Sequence, residues 1–121
     1  MRKTVIIGAT PNPTRYAYMA AERLTNHQEE FVPVGIKKGE LFGREILDIR
    51  TQPEIEEVDT VTMYLNPRNQ QEWEEYILSL KPKRIIFNPG TENSSLIQKA
   101  QDQGIETENA CTLVMLGSGV Y

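Results

Sequence analysis

Apolar and β-branched residues fall in short runs along this chain, and each run stops at small or turn-forming residues. The first run is Thr4-Val5-Ile6-Ile7, the composition of a buried strand. Gly8-Ala9-Thr10-Pro11 breaks it, and Ala17, Ala20, Ala21 and Leu24 then recur at i, i+3, i+4, i+7. That spacing predicts a helix with a narrow stripe of mostly small side chains, able to lie close on a sheet. Asn12 is placed to cap the helix and Pro13 to fill its first position, where a missing N–H costs nothing. Phe31-Val32-Pro33-Val34 reads as a second strand, with Pro33 favouring an edge or early position. Residues 40–57 show no helical period, and 46–49 read as a short extended piece. Further strands are expected over 58–65, 84–87 and 105–108. Trp73, Tyr76, Ile77 and Leu80 form a helical stripe behind an Asn69/Glu72 capping pattern, and Lys81-Pro82-Lys83 stops it with cations at its negative end. Leu96, Ile97 and Ala100 mark another helix with Gly104 at its C-cap, and Asn109 can cap a last one over 110–116 before a fraying 117–119.

Strands that alternate with helices call for a parallel sheet with crossover connections, an α/β fold. With 121 residues, and no linker, repeat or low-complexity stretch, the chain is expected to be one domain with a core of its own. Hydrophobic residues at 39% and charged residues at 25% fit an ordinary globular protein. A net charge of −4, with no segment rich in Lys and Arg, argues against nucleic acid as a partner. No apolar run is long enough to span a membrane, and the start of the chain has no signal-peptide pattern. One cysteine, Cys111, excludes an internal disulfide framework and suits a reducing compartment, so a cytoplasmic location is expected.

The candidate chemistry gathers at the turns. Asn-Pro occurs as Asn12-Pro13, Asn66-Pro67 and Asn88-Pro89, each after an apolar strand. In a parallel sheet all three fall on the C-terminal edge, outside which ligands of open α/β sheets bind. Asn and Pro are also plain turn and cap residues, which accounts for each pair singly. The same turns carry Gly8, Thr10, Gly90 and Thr91, which allow close backbone approach and offer hydroxyls. The N-terminus of the first helix attracts anions, phosphates above all, and Arg15 and Tyr16 stand beside it. A bound phosphate compensates a cation there, and a solvated surface Arg is the equal alternative. Lys37 and Lys38 follow the second strand. The first turn has neither G-x-G-x-x-G nor a P-loop, and no Gly-x-Ser-x-Gly elbow or metal-ligand spacing occurs. His27 reads as a lone surface imidazole, and Cys111 as a small apolar residue or a wall of the cleft. No partnered acid, base or nucleophile can be read, so catalysis by the domain alone is not expected.

In order and spacing, several features resemble the CoA-binding domain family, small proteins similar to the N-terminal domain of the succinyl-CoA ligase alpha subunit. They are residues 5–10 with Asn12-Pro13 and Arg15-Tyr16, Val32-Pro33-Val34 with Lys37 and Gly43, Val58-Asp59, Gly90-Thr91-Glu92-Asn93, and Cys111. The likeness spans nearly the full length. Two places depart from it: Gly35-Ile36 stands where the family commonly has Asn-Pro, and Asn88-Pro89 precedes Gly90. The resemblance implies a Rossmann-like three-layer sandwich with a five-stranded, mostly parallel sheet that binds CoA or an acyl-CoA. It implies that Gly8, Ala9 and Thr10 approach the ligand by backbone, with Asn12 and Arg15 on the pyrophosphate and Tyr16 and Val34 alongside. Lys37 or Lys38 then meets the 3′-phosphate, and Asn66, Pro67, Asn88, Pro89 and Gly90 line the pantetheine side. Ligase chemistry is not implied, because 121 residues leave no room for the phosphohistidine domain or the nucleotide-grasping subunit. Two other readings share the scaffold: an NAD(P)-binding sensor or oxidoreductase, and a ligand-free interaction domain. A protein partner or a homo-oligomer is compatible with each.

Overall fold

The computed structural model describes residues 2–121. Its core is a parallel sheet in the order β5-β2-β1-β6-β7-β8. The strands are β1 (Lys3–Ile7), β2 (Glu30–Gly35), β5 (Leu47–Asp48), β6 (Thr60–Met63), β7 (Arg84–Phe87) and β8 (Glu106–Asn109). β3 (Glu40–Leu41) and β4 (Arg44–Glu45) form a separate antiparallel hairpin between β2 and β5. The helices are α1 (Tyr16–Asn26), α2 (Pro67–Gln70), α3 (Glu74–Ser79), α4 (Ser94–Asp102) and α5 (Thr112–Gly117).

β1 holds the centre because its apolar run is buried on both faces, and it pairs in register with β2 (Val5 with Val32) and with β6 (Val5 with Val61). Successive side chains point to opposite faces. Ile6 therefore packs with Ala17, Ala21, Leu24 and Leu116 of α1 and α5, whereas Val5 and Ile7 pack with Tyr76, Ile77, Leu96 and Ala100 of α3 and α4. Helices on both faces make three layers. The alanines of α1 are buried as expected, and Leu24, fully enclosed, contributes about 2 kcal/mol by its burial.

The sheet has six parallel strands, not five. The extra one is β5, where the extended piece at 46–49 pairs through Leu47 with Val34 and through Asp48 with Gly35. It reaches only the last two residues of β2, so Pro33 lies where β2 is still an edge. Other boundaries shift too. α1 starts at Tyr16 rather than Pro13, because residues 12–15 close a turn of their own, with the Arg15 N–H donating to the Asn12 carbonyl at 3.1 Å. Asn66, not Asn69, caps the helical segment after β6, its Oδ1 accepting from the Asn69 N–H at 2.9 Å with Pro67 at the first position. Beyond α5 the chain does not fray. The Tyr121 ring lies under the guanidinium groups of Arg2 (5.2 Å) and Arg84 (4.6 Å), and its hydroxyl bonds Thr4. Among the described residues no helix is long and apolar enough to cross a membrane.

Candidate functional site

The strand order reverses between β1 and β6. The loops leaving β2, β1, β6 and β7 at their C-terminal ends enclose a cleft of about 590 Å³, within the usual range for small-molecule sites. All three Asn-Pro pairs follow strands of this edge.

The floor is set by two glycines. Gly8 turns the chain with φ +97°, and a Cβ there would lie 3.0 Å from the Tyr64 carbonyl carbon. A Cβ on Gly35 would lie 2.5 Å from the Ala9 carbonyl oxygen, so the ends of β1 and β2 touch backbone to backbone. The Val34 carbonyl accepts from both the Gly8 and Ala9 N–H groups, at 2.9 and 3.0 Å, and fixes the loop on β2. Asn12 folds the next turn, its Oδ1 accepting from the Thr14 N–H at 3.0 Å and from the Thr14 hydroxyl at 2.8 Å.

Arg15 is the N-cap of α1, yet its side chain caps nothing, and the first turn contains no acid. The leading N–H groups of α1 have no partner within the helix, and the positive end of its dipole faces the cleft. Arg15, Tyr16 and Lys37 line the same space. The far wall comes from Tyr64, Leu65, Asn66, Glu72 and Trp73 after β6 and from Pro89 and Thr91 after β7. The Tyr64 side chain packs against the core cluster of Ile6, Ala17 and Leu116, and its buried hydroxyl lacks a well-aligned hydrogen-bond partner; burial pushes its ionisation up to about 12, so it stays neutral at physiological pH.

Among the sequence candidates, Gly8, Ala9, Thr10, Arg15, Tyr16, Lys37, Asn66 and Pro89 line the cleft, and Asn12, Val34, Lys38, Pro67, Asn88 and Gly90 do not. Val34 is a fully buried core residue. Asn88 is buried and fully engaged: its Nδ2 donates to Thr62 Oγ1 and the Met63 carbonyl, and its Oδ1 accepts from the Thr112 N–H, each at 2.8 Å. It ties β6 and β7 to the start of α5. The Gly90 N–H donates to Glu92 Oε1 at 2.9 Å. Lys38 is exposed; Asp48's carboxyl is held below its ordinary range first by the hydrogen bonds from Arg50, and least by the charge of Lys38. Cys111 is a half-buried N-cap of α5.

Tyr64, Leu65 and Ile49 escaped the sequence reading as wall residues because residues 58–65 read as strand to their end and 46–49 as a short extended piece with no place in the sheet assigned. Trp73 counted only as part of a helical stripe. Gly35 carried a usable signal: a glycine closing an apolar strand marks a place where other backbone comes near. A wider hollow of about 860 Å³ lies at the opposite sheet edge, between Lys3, Glu56, Asp59 and Lys83. It adjoins the C-terminal end of α3, the negative end of a helix, and mixes acids with lysines. The N-terminal end of α1, with Arg15 and Lys37, lies at the smaller cleft instead. Among the described residues no His, Cys, Asp and Glu group is arranged to hold a metal ion.

The parallel order and switch-point cleft define a Rossmann-like α/β scaffold. A model of the CoA-binding domain matches residues 2–117, and the chain belongs to that family. No curated protein matches it. Among solved structures, the crystal structure of an uncharacterized protein is 58% identical, with a TM-score of 0.96 over 100% of this chain and 98% of its own. A Thermus thermophilus protein, cell-free ID.343, is 20% identical with a TM-score of 0.86 over 99% and 90%. A hypothetical protein from Pyrococcus horikoshii is 24% identical with a TM-score of 0.81 over 97% and 82%. The last two likenesses show the fold alone.

Proposed function

We propose that this domain binds CoA or an acyl-CoA in the switch-point cleft and performs no catalysis of its own. The observation that carries the reading is the start of α1: an uncapped, positive helix end with Arg15 and Lys37 beside it. A cation at that end is unfavourable without an anion between them, and a pyrophosphate supplies one. In this reading the α1 N-terminus and Arg15 take the pyrophosphate, Lys37 takes the 3′-phosphate, and the Leu65–Trp73 and Pro89–Thr91 walls border the pantetheine arm. Thr10 and the backbone of Gly8 and Ala9 lie under the ligand.

The NAD(P) alternative is weighed at the tip of β2. NAD-binding domains place an acid there to accept from the ribose hydroxyls. Here Gly35 ends the strand, and the neighbouring Asp48 is engaged by Arg50 through two bonds of 2.9 and 3.1 Å. That supports a ribose carrying a phosphate over the free ribose of NAD. A reducing cytoplasmic setting accords with the single cysteine. Calorimetry with CoA, dephospho-CoA, NADP and NAD tests the reading. CoA should bind best, with NAD weak or silent; no heat from millimolar CoA on folded protein would remove it.

A further inference from the structure

A buried polar assembly stands behind the cleft and takes no direct part in the binding scheme. Gln70, at the end of α2, is fully enclosed. Its Nε2 donates to the Leu65 carbonyl at 2.8 Å and to the Thr91 carbonyl at 2.7 Å. Leu65 lies in the loop after β6 and Thr91 in the loop after β7, and both line the cleft. One amide group thus bridges the two loops that form the far wall. Its Oε1 accepts from Asn93 Nδ2 at 2.9 Å, so both donors and the acceptor are used.

The assembly continues outward. Asn93 Nδ2 also donates to Glu74 Oε2 at 3.0 Å, while Asn93 Oδ1 caps α4 by accepting from the Leu96 N–H at 3.3 Å. Glu74, only 6% exposed, accepts at Oε1 from Lys99 Nζ at 2.9 Å. Each member is oriented by the next, and a buried network satisfied in this way is rigid. Gln70 itself has no surface to offer a ligand.

We infer that Gln70 is a positioning residue for the ligand, setting the separation of the two loops against which the pantetheine arm lies. The inference rests on the CoA reading. No apolar side chain of like length can do the same, since two carbonyls from different loops need two donors on one group. Without that group each carbonyl turns to water, and the loops lose their fixed spacing. The α1 end of the cleft, where the phosphates bind, has no bond to this network, so the effect is confined to one half of the ligand.

The experiment compares CoA with adenosine 3′,5′-bisphosphate, a probe of the phosphate end alone, by calorimetry on wild type, Gln70→Met and Gln70→Asn. Met keeps the length and loses the donors; Asn keeps the amide but is one methylene too short to span both carbonyls. CoA should weaken about tenfold in either variant while the bisphosphate stays within about twofold, a loss in keeping with buried hydrogen bonds that orient a ligand. Equal weakening of both ligands would reduce Gln70 to a residue that holds the fold, and unchanged CoA affinity would remove any role; each overturns the inference. If Met fails to fold, Asn carries the comparison, and failure of both variants to fold also overturns it. Absence of CoA binding by wild type overturns the CoA reading and this inference together, whereas CoA binding with an unchanged ligand ratio overturns this inference only.

Discussion

Replacing Gly35 by Ala adds one carbon atom 2.5 Å from the Ala9 carbonyl oxygen, with the Ala9 N only 3.1 Å away. Both are backbone atoms, so no side chain can swing aside; β2 and the β1 loop must separate by more than half an ångström. Forced backbone shifts of this kind cost about 1–3 kcal/mol. The same separation strains the two bonds that join Gly8 and Ala9 to the Val34 carbonyl, each worth about 1 kcal/mol. With both bonds lost the sum is about 3–5 kcal/mol, a large part of the roughly 5–15 kcal/mol that holds a domain together. Gly43→Ala is the control: Gly43 has φ +85° and nothing within 4 Å of its added Cβ, so only the left-handed backbone penalty applies, about 1 kcal/mol. In urea, with m about 1.5 kcal/mol/M, the midpoint should fall by about 2–3 M for Gly35→Ala and about 0.7 M for Gly43→Ala. Ala9 also floors the cleft, so Gly35→Ala should weaken CoA binding and Gly43→Ala should not. Midpoints for the two variants within about 0.3 M of each other would refute the close-contact argument.

The two lysines after β2 should separate. Lys37→Ala, at the cleft, is expected to lose about 1–2 kcal/mol of CoA affinity, roughly fivefold to thirtyfold, kept to the lower range of charge-assisted contacts because Lys37 is exposed. Lys38→Ala, outside the cleft lining, should change it little, and equal losses in calorimetry would contradict the assignment of Lys37 alone to the cleft. Glu74 predicts a pH dependence. Burial pushes its carboxyl up, but hydrogen bonds from Lys99 and Asn93 and the charge of Lys99 outweigh this and leave it below the ordinary glutamate range. A carboxyl held low in the folded state contributes stability that is present above the unfolded value of about 4.3 and lost as pH falls through the folded one. Wild type should therefore lose stability more steeply than Glu74→Gln in urea titrations carried below about pH 4.3, and parallel acid limbs would remove this contribution.

The sheet was legible where a strand has enough residues to show its pattern. β1, β2, β6 and β7 each carry four or more residues, mostly apolar or β-branched, and the turn chemistry after them located the cleft edge. β5, β3 and β4 have two residues each, too few to show any period; they exist because β2 and the hairpin partner offer hydrogen bonds from elsewhere in the chain. Asn12, Asn66 and Asn88 follow their strands alike in sequence yet do three different things. Asn12 closes an exposed turn and Asn66 caps α2, both local acts. Asn88 turns inward only because Thr62 and Thr112, more than twenty residues away on either side, meet its amide. Gln70 was invisible for the same reason: its partners Leu65 and Thr91 come together only once β6 and β7 have paired.

The seat of Tyr121 makes the fold almost a ring. Its carbonyl accepts from Arg2, and from Arg84 at 2.8 Å, while its hydroxyl meets Thr4 on the central strand, so residues 2 and 121 stand side by side. The order in which the strands are strung together is then partly separable from the order in which they lie in the sheet. A short peptide joining the two ends, with new ends opened at Gly43 in the exposed turn of the β3–β4 hairpin, leaves every pairing of the six-stranded sheet intact. In such a circularly permuted chain β6 comes before β1 along the sequence, yet the two strands that flank the switch point still lie side by side, and the cleft between them should survive the rearrangement.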